Sequence, residues 1–320
     1  MKGLLIVQYY PYQYFDQFKP FIEKLGLDWG YRYDIRISTS VPRNSFAFTK
    51  NGKVIQVPFS NEKFFEDYDY IIYTGQASSA IETLASYTRR KRVYYIPHSL
   101  VGTNYDVKIA LSKSPYAIGL IPECWSHFES YRHIVDKFTK DNGASPNIRL
   151  TKTHPILLKV YEDYPRQSLS NSIGAIFGHI NPFESYKKDL DEFSSIHHIE
   201  NINVRMHMLS DCHYNEYFSD SRYTRSDPFS ESKYDFTDKC KYLVGAPSSL
   251  LIEAFLRNKK WNRGQEIYKF PDQRGLISPF KSITGNDKSA TYDETVYDDF
   301  VCSVDDVLYE FESIIEEDLG

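Results

Sequence analysis

Tyr242-Leu243-Val244-Gly245-Ala246-Pro247-Ser248-Ser249-Leu250-Leu251-Ile252-Glu253-Ala254 is the stretch that decides the fold. Its first four residues form a short apolar run, the pattern of a strand buried on both faces. Small residues and a proline then make a turn, and Ser249 to Leu256 reads as a helix. A serine in that turn is well suited to cap the helix. The free N–H groups and the positive dipole end of such a helix attract phosphate. A capping serine with no ligand has the same signature, so the turn alone leaves both readings open.

The same strand-to-helix alternation recurs on both sides. Leu4 to Val7 is a continuous apolar run, and Phe15, Phe18, Phe21, Ile22 and Leu25 follow at helical spacing until Gly26. Tyr68 to Tyr73, Arg92 to Ile96 and Tyr116 to Ile121 read as strands, with Ser79 to Tyr87 and Trp125 to Lys140 as helices. Ile173 to Phe177, Asn203 to Met208 and Tyr242 to Gly245 form a second series, and Val304 to Ile315 closes it with Leu308, Phe311 and Ile315 on one face. Alternation at this pitch predicts two doubly wound, mostly parallel α/β domains. Loop composition at Arg166 to Asn171 puts the boundary there, giving domains over 1–165 and 166–320 with a cleft between them. The polar stretch Cys212 to Asp238 reads as a long loop with one short helix.

In parallel sheets ligands bind beyond the carboxyl ends of the strands, so residues just after strands carry the most weight. His98 follows Arg92 to Ile96 and Pro97, where a general base would sit; a histidine bonded to neighbouring backbone fits equally. His154 precedes Pro155, which restricts it to extended geometry; a contact with donor or hinge and a structural role at the crossover both fit, the structural role at least as well. His207 follows the strand at Asn203, and Arg274 lies in Phe270-Pro271-Asp272-Gln273-Arg274-Gly275, where a guanidinium fork suits phosphate. A structural histidine and a surface ion pair are the plainer readings of these two.

Composition bounds the rest. The net charge is −5 over 320 residues, against a general nucleic-acid binder. Arg89-Arg90-Lys91-Arg92 reads as a solvated helix end or as a contact for an anionic surface. The four cysteines form no CxxC pair, which fits no zinc ribbon and suits a reducing cytosol. Leu4 to Val7 is too short for a signal-peptide core, and no apolar stretch reaches membrane-spanning length. A cytoplasmic location is therefore expected. The glycine fingerprints of dinucleotide and P-loop sites are missing, as is His-Glu-x-x-His. No metal and no bound cofactor is expected.

In chain order, Pro97-His98-Ser99, the run Gly245 to Lys259 and Phe270 to Leu276 resemble the CDP-glycerol glycerophosphotransferases of teichoic acid and capsule synthesis. The double serine also resembles the turn of bacterial sialyl and Kdo transferases. Ser99 stands where the family has glycine, and Gly245-Ala246-Pro247 replaces its Thr-Asp-Tyr. The resemblance implies a GT-B fold with two Rossmann-like domains. It implies a CDP- or CMP-activated donor as substrate and transfer of glycerol phosphate or a sugar to a surface polysaccharide or lipid-linked glycan. It assigns His98 as base, with Ser248, Ser249, Glu253, His207, Arg274, His154 and Pro155 on the donor side and Glu253 on a ribose hydroxyl. Peripheral contact with the inner membrane face is implied too, though no amphipathic anchor is evident. An inverting CMP-sugar glycosyltransferase and a non-catalytic nucleotide-binding scaffold are the alternatives.

Overall fold

A computed structural model describes the chain except for residues 10–12, 35–38, 41–44, 52, 76–77, 88–91, 98–110, 114, 124–128, 156, 161–167, 178–182, 207–218, 228–229, 246–248, 272–279 and 285–302. The chain divides into two compact units, Met1–Glu162 with Cys302–Gly320, and Asp163–Val301.

Unit 1 is organised by β1 (Gly3–Tyr9) and β6 (Tyr70–Thr74), which pair in parallel at its centre. Beside β6 run β7 (Arg92–Ile96), β8 (Ala117–Pro122) and β9 (Ile148–Thr151), all parallel. On the other side of β1 lies β2 (Asp28–Asp34), also parallel. Beyond β2 the direction reverses: β3 (Thr39–Ser40) and β4 (Ser45–Lys50) pair antiparallel to β2, and β5 (Lys53–Pro58) pairs antiparallel to β4 at the sheet edge.

The alternation of side chains explains why the apolar runs are continuous. Leu4, Ile6, Ile71, Tyr73, Val93 and Tyr95 point to one face and pack with Ala80, Ile81 and Leu84 of α3 (Ser78–Tyr87). Leu5, Val7, Ile72, Tyr94 and Ile96 point to the other and pack with Phe18 and Phe21 of α1 (Gln13–Leu25). Short helices α2 (Glu62–Phe65) and α5 (Leu157–Val160) and the longer α4 (Glu129–Asn142) complete the unit's first pass.

Unit 2 is a parallel sheet in the order β12-β11-β10-β13-β14-β15. Its strands are β10 (Ser170–Ile176), β11 (Ile202–Arg205), β12 (Tyr223–Ser226), β13 (Cys240–Gly245), β14 (Glu266–Lys269) and β15 (Lys281–Ser282). The helices are α6 (Phe183–Ile196), α7 (Lys233–Lys239) and α8 (Ser249–Trp261). The polar stretch read as a loop with a short helix holds α7, as expected, and also β12, whose Tyr-Thr-Arg-Ser has no apolar run to announce it.

One assignment is corrected. The closing helix α9 (Val304–Leu319) forms where the spacing predicts a helix, but it belongs to unit 1 rather than to a domain running from 166 to 320. Its stripe of Val307, Leu308, Phe311, Ile314 and Ile315 joins the face made by Leu5, Val7, Phe18 and Phe21. Phe311 meets Phe21 edge-on at 5.2 Å between ring centroids. A capping box starts the helix: Ser303 Oγ accepts from the Asp306 N–H, and the Asp306 carboxylate accepts from the Ser303 N–H. At its far end Asp318 accepts a 3.0 Å hydrogen bond from Tyr94 Oη. Burial, reinforced by Asp318, pushes the Tyr94 phenol well above its ordinary range. Periodicity gives a helix and its apolar face, but not the partner that face will find.

Candidate functional sites at the two switch points

Both sheets contain a place where the strand order reverses, and such points open a crevice at the carboxyl ends of the strands. In unit 2 the chain goes from β10 outward to β11 and β12, then returns to place β13 on the opposite side of β10. The reversal falls at the pair Ile176↔Gly245. A Cβ on Gly245 would lie 3.1 Å from Ile176 Cβ and 3.3 Å from the Ile176 carbonyl oxygen, tighter than ordinary contact. Glycine therefore lets the two strand ends close up. Ser249 is the first residue of α8, so the helix N-terminus stands just beyond this point.

Two features of this edge were missed by the sequence reading. Lys269, 2% exposed, lies directly across from Gly245 on β14. Phe177, Tyr186 and Phe270 stack on one another, with Tyr186 and Phe270 4.2 Å apart and 18° from parallel. Phe270 donates its N–H to the Gly245 carbonyl at 2.9 Å. The signal was available in Tyr268-Lys269-Phe270, which precedes the Arg274 segment, but a lysine and a phenylalanine at a strand end have no distinctive pattern.

Glu253 is one turn into α8 and 1% exposed. Its Oε2 accepts from Tyr234 Oη at 2.9 Å and lies 2.5 Å from Lys233 Nζ. The carboxylate thus ties α8 to α7. Arg205, beside His207 in sequence, is also buried and donates to Ser226 Oγ and to the Glu231 carbonyl.

In unit 1 the reversal lies between β1 and β6. Polar side chains gather there. Arg32 Nη1 donates to Tyr73 Oη at 3.3 Å, and the guanidinium lies over the Phe59 ring at 5.7 Å. A Cβ on Gly75 would fall 2.7 Å from Gln8 Oε1 and 2.8 Å from Tyr73 Oη, so any larger residue there would have to displace these two side-chain ends. Thr74 is 1% exposed, and among the described residues its hydroxyl has no hydrogen-bond partner. That is an uncommon expense for a buried hydroxyl. The register Thr74↔Ile96 brings β7 to the same edge, and Pro97-His98 continues from it.

His154 is in unit 1, 1% exposed, in the turn after β9. Glu310 of α9 holds that turn by accepting from the backbone N–H groups of Lys152 and Thr153 and from Thr153 Oγ1 at 2.5–2.8 Å. His154 and Pro155 therefore fall in a different unit from Ser249 and Glu253. His98, His207, Ser248 and Arg274 lie outside the described residues, as does the side chain of Ser249.

No protein-family profile matches the chain, and no curated protein sequence matches it. Solved structures do. Anabaena Alr3699/HepE, determined in complex with UDP and glucose, is similar over 99% of this chain and 100% of its own, with TM-score 0.59 and 12% identity. The UDP-GlcNAc 2-epimerase of Neisseria meningitidis, bound to UDP-GlcNAc, is similar over 100% and 99%, with TM-score 0.50 and 10% identity. The wall teichoic acid polymerase TagF overlays at 0.49 and 10% identity, over 99% of this chain and 88% of its own. At such identities the likeness shows the fold: two doubly wound α/β units of the GT-B class.

Proposed function

We propose that this chain is a transferase that takes a glycerol-phosphate or sugar group from a CDP- or CMP-activated donor and passes it to a bacterial surface polysaccharide or its lipid-linked precursor. The observation that carries the reading is the switch point of unit 2, where Gly245 closes against Ile176 and α8 begins immediately beyond. Helix N–H groups aimed past the strand ends suit a diphosphate. Ser248 and Ser249 add hydroxyl donors to those N–H groups. Lys269 supplies a cation on the strand next to Gly245, and the family resemblance assigns Arg274 and His207 to the donor side. Any ribose contact by Glu253 runs through Oε1, because Oε2 already takes two partners.

On the acceptor side, β7 ends beside Thr74, and His98 comes two residues after it in the sequence. Its imidazole takes the proton from an acceptor hydroxyl as that oxygen attacks the donor. The helix N-terminus and the serines stabilise the charge that develops on the departing phosphate. The Thr74 hydroxyl, which has no hydrogen-bond partner among the described residues, supports a polar ligand at that edge.

The test is a calorimetric titration of the purified chain with CDP, CMP, UDP, GDP and ADP. Cytidine-selective binding, weakened in Ser248→Ala and Ser249→Ala, supports the donor site. Binding of UDP alone keeps the reading of the turn and redirects the donor to a UDP-sugar. No binding of any nucleotide overturns the transferase reading. Once a donor is found, His98→Ala should reduce turnover by roughly 10²–10⁴-fold with donor affinity unchanged; a scaffold would lose nothing.

A further inference from the structure

The turn at the switch point of unit 2 has a counterpart in unit 1. Gly75-Gln76-Ala77-Ser78-Ser79 repeats the Gly-x-x-Ser-Ser spacing of Gly245 to Ser249. The match is one of place as well. β6 lies beside β1, the first strand of its unit, where the strand order reverses, as β13 lies beside β10. Each strand leads into a helix, α3 at Ser78 and α8 at Ser249, and neither helix has an acidic residue in its first turn. A Cβ on Gly75 would stand 3.1 Å from Gln8 Cβ, and one on Gly245 would stand 3.1 Å from Ile176 Cβ. The two glycines let neighbouring strand ends close up in the same way while a helix starts beyond.

Unit 1 lines this geometry with polar groups. Gln8 stands where unit 2 has Ile176. Arg32 falls on β2 between the pairs Val7↔Tyr31 and Tyr9↔Tyr33, which puts it beside Gln8; in unit 2 the matching position is Arg205, paired with Ile176. Arg205 turns its fork away, to Ser226 Oγ and the Glu231 carbonyl. Arg32 turns toward the end of β6 and donates to Tyr73 Oη, the same oxygen that crowds the Cβ position of Gly75 together with Gln8 Oε1. Tyr73 packs with Ala80 and Ile81 of α3, so these polar ends lie on the side of the sheet that the helix covers. Thr74 alternates to the other side. It is 1% exposed, and its hydroxyl has no partner among the described residues. Buried hydroxyls are rarely left so, and a ligand that completes the end of β6 accounts for the exception.

We infer that the end of β6 is a phosphate site belonging to unit 1, separate from the donor site of unit 2, and that its occupant is a phosphate ester. The N–H groups at the start of α3 attract an anion. The Arg32 fork matches phosphate oxygens, and Gln8 and Tyr73 place polar ends beside it. An uncharged ligand would draw little from the helix start or the arginine. Taken as a phosphate on the acceptor, the occupant rests on the transferase reading; the site itself does not, and its test uses no donor.

Hydrogen exchange of the full chain is followed by mass spectrometry with methyl phosphate, a monoester, with dimethyl phosphate, a diester, and with malonate. A phosphate ester should slow exchange across 74–84. Calorimetric titration should give an affinity that Arg32→Gln lowers roughly tenfold or more. Arg32→Lys should fall between the two, because it keeps the charge and loses the fork. Tighter binding of the monoester marks a small phosphorylated molecule as the source, and tighter binding of the diester marks a phosphodiester chain; either supports the site. Arg32 is partly buried, so circular dichroism and melting accompany each variant. If Arg32→Gln does not fold, the wild-type exchange map decides. No protection at 74–84, protection confined to 245–256, malonate binding as tight as that of the esters, or an affinity unchanged in Arg32→Gln overturns the inference. Protection at 74–84 in a chain that binds no nucleotide would sink the transferase reading and leave this one standing.

Discussion

Unit 1 fills its interior with rings and aliphatic chains. Phe46 stacks on Phe59 and meets Phe64 and Phe65, and every ion pair described there has at least one partner more than a third exposed. Unit 2 instead buries charge. Asp238 lies 2.7 Å from both Arg257 and Arg263, all three side chains at most 5% exposed. Lys233 pairs with Glu253 nearby, and Arg257 also covers the Tyr234 ring at 4.5 Å. The same doubly wound plan can therefore be held by two kinds of interior. They differ in how they fail. An apolar core loses stability in proportion to the volume removed. A buried ionic cluster adds little net stability but fails sharply when one partner is lost, because the remaining charge stays dry and unpaired.

The largest expected effect follows from that contrast. Asp238→Ala leaves two guanidinium groups buried without their carboxylate and should cost unit 2 about 4 kcal/mol. Calorimetry should show the transition of unit 2 falling and that of unit 1 holding. A single transition that moves as a whole would break the comparison. Next, Phe311→Ala should cost about 3 kcal/mol and lower the transition of unit 1 alone, although Phe311 follows unit 2 in the chain.

Acid gives a third, smaller separation. Burial opposes the charge on Asp191, but hydrogen bonds from Lys187 and Tyr223 outweigh it and hold the carboxyl below its ordinary range. Glu231 behaves alike, with Lys239 and Ser226 outweighing burial. The Arg222 side chain holds Asp220 at about 2. A carboxylate with a lowered folded pKa stabilises above the ordinary carboxylate range and loses that contribution as the pH falls through the folded value. All three are in unit 2, and only Asp306 shows this lowering among the described groups of unit 1. Melting followed from pH 5 to pH 2 should show unit 2 weakening more. Equal loss in the two units would mean that these carboxylates do not set their acid responses apart. The smallest effect is expected at the exposed pair Lys113–Glu82, where Glu82→Gln should change stability by less than about 0.5 kcal/mol.

How much of this was legible in the sequence differs by level. Leu4 to Val7 and Tyr242 to Gly245 announce buried parallel strands because burial on both faces demands unbroken apolar runs. Strands without that demand stay hidden: β12 is polar, and the antiparallel ribbon of β3, β4 and β5 sits at an edge where one face is solvated. Ser249 was legible as a helix start, since small residues and a hydroxyl precede the apolar spacing. The partners of Glu253 were not, because Lys233 and Tyr234 are twenty residues away in a stretch that looks like loop. Lys269, Arg32 and Tyr73 were illegible for a similar reason. Their meaning comes from the strand order, and strand order is a property of pairing across the sheet.

The return of α9 to unit 1 has a consequence for how the chain is made. Unit 1 exposes the face around Leu5, Phe18 and Phe21 until Val307, Phe311 and Ile315 arrive, and these are translated after the whole of Asp163–Val301. At about 5–20 residues per second, the ribosome needs roughly seven to thirty seconds to cross that interval. Throughout it, the first unit to emerge waits with an open apolar groove while the second can already close. A nascent chain stalled before residue 304 should therefore be bound by chaperones through its oldest part, not its newest.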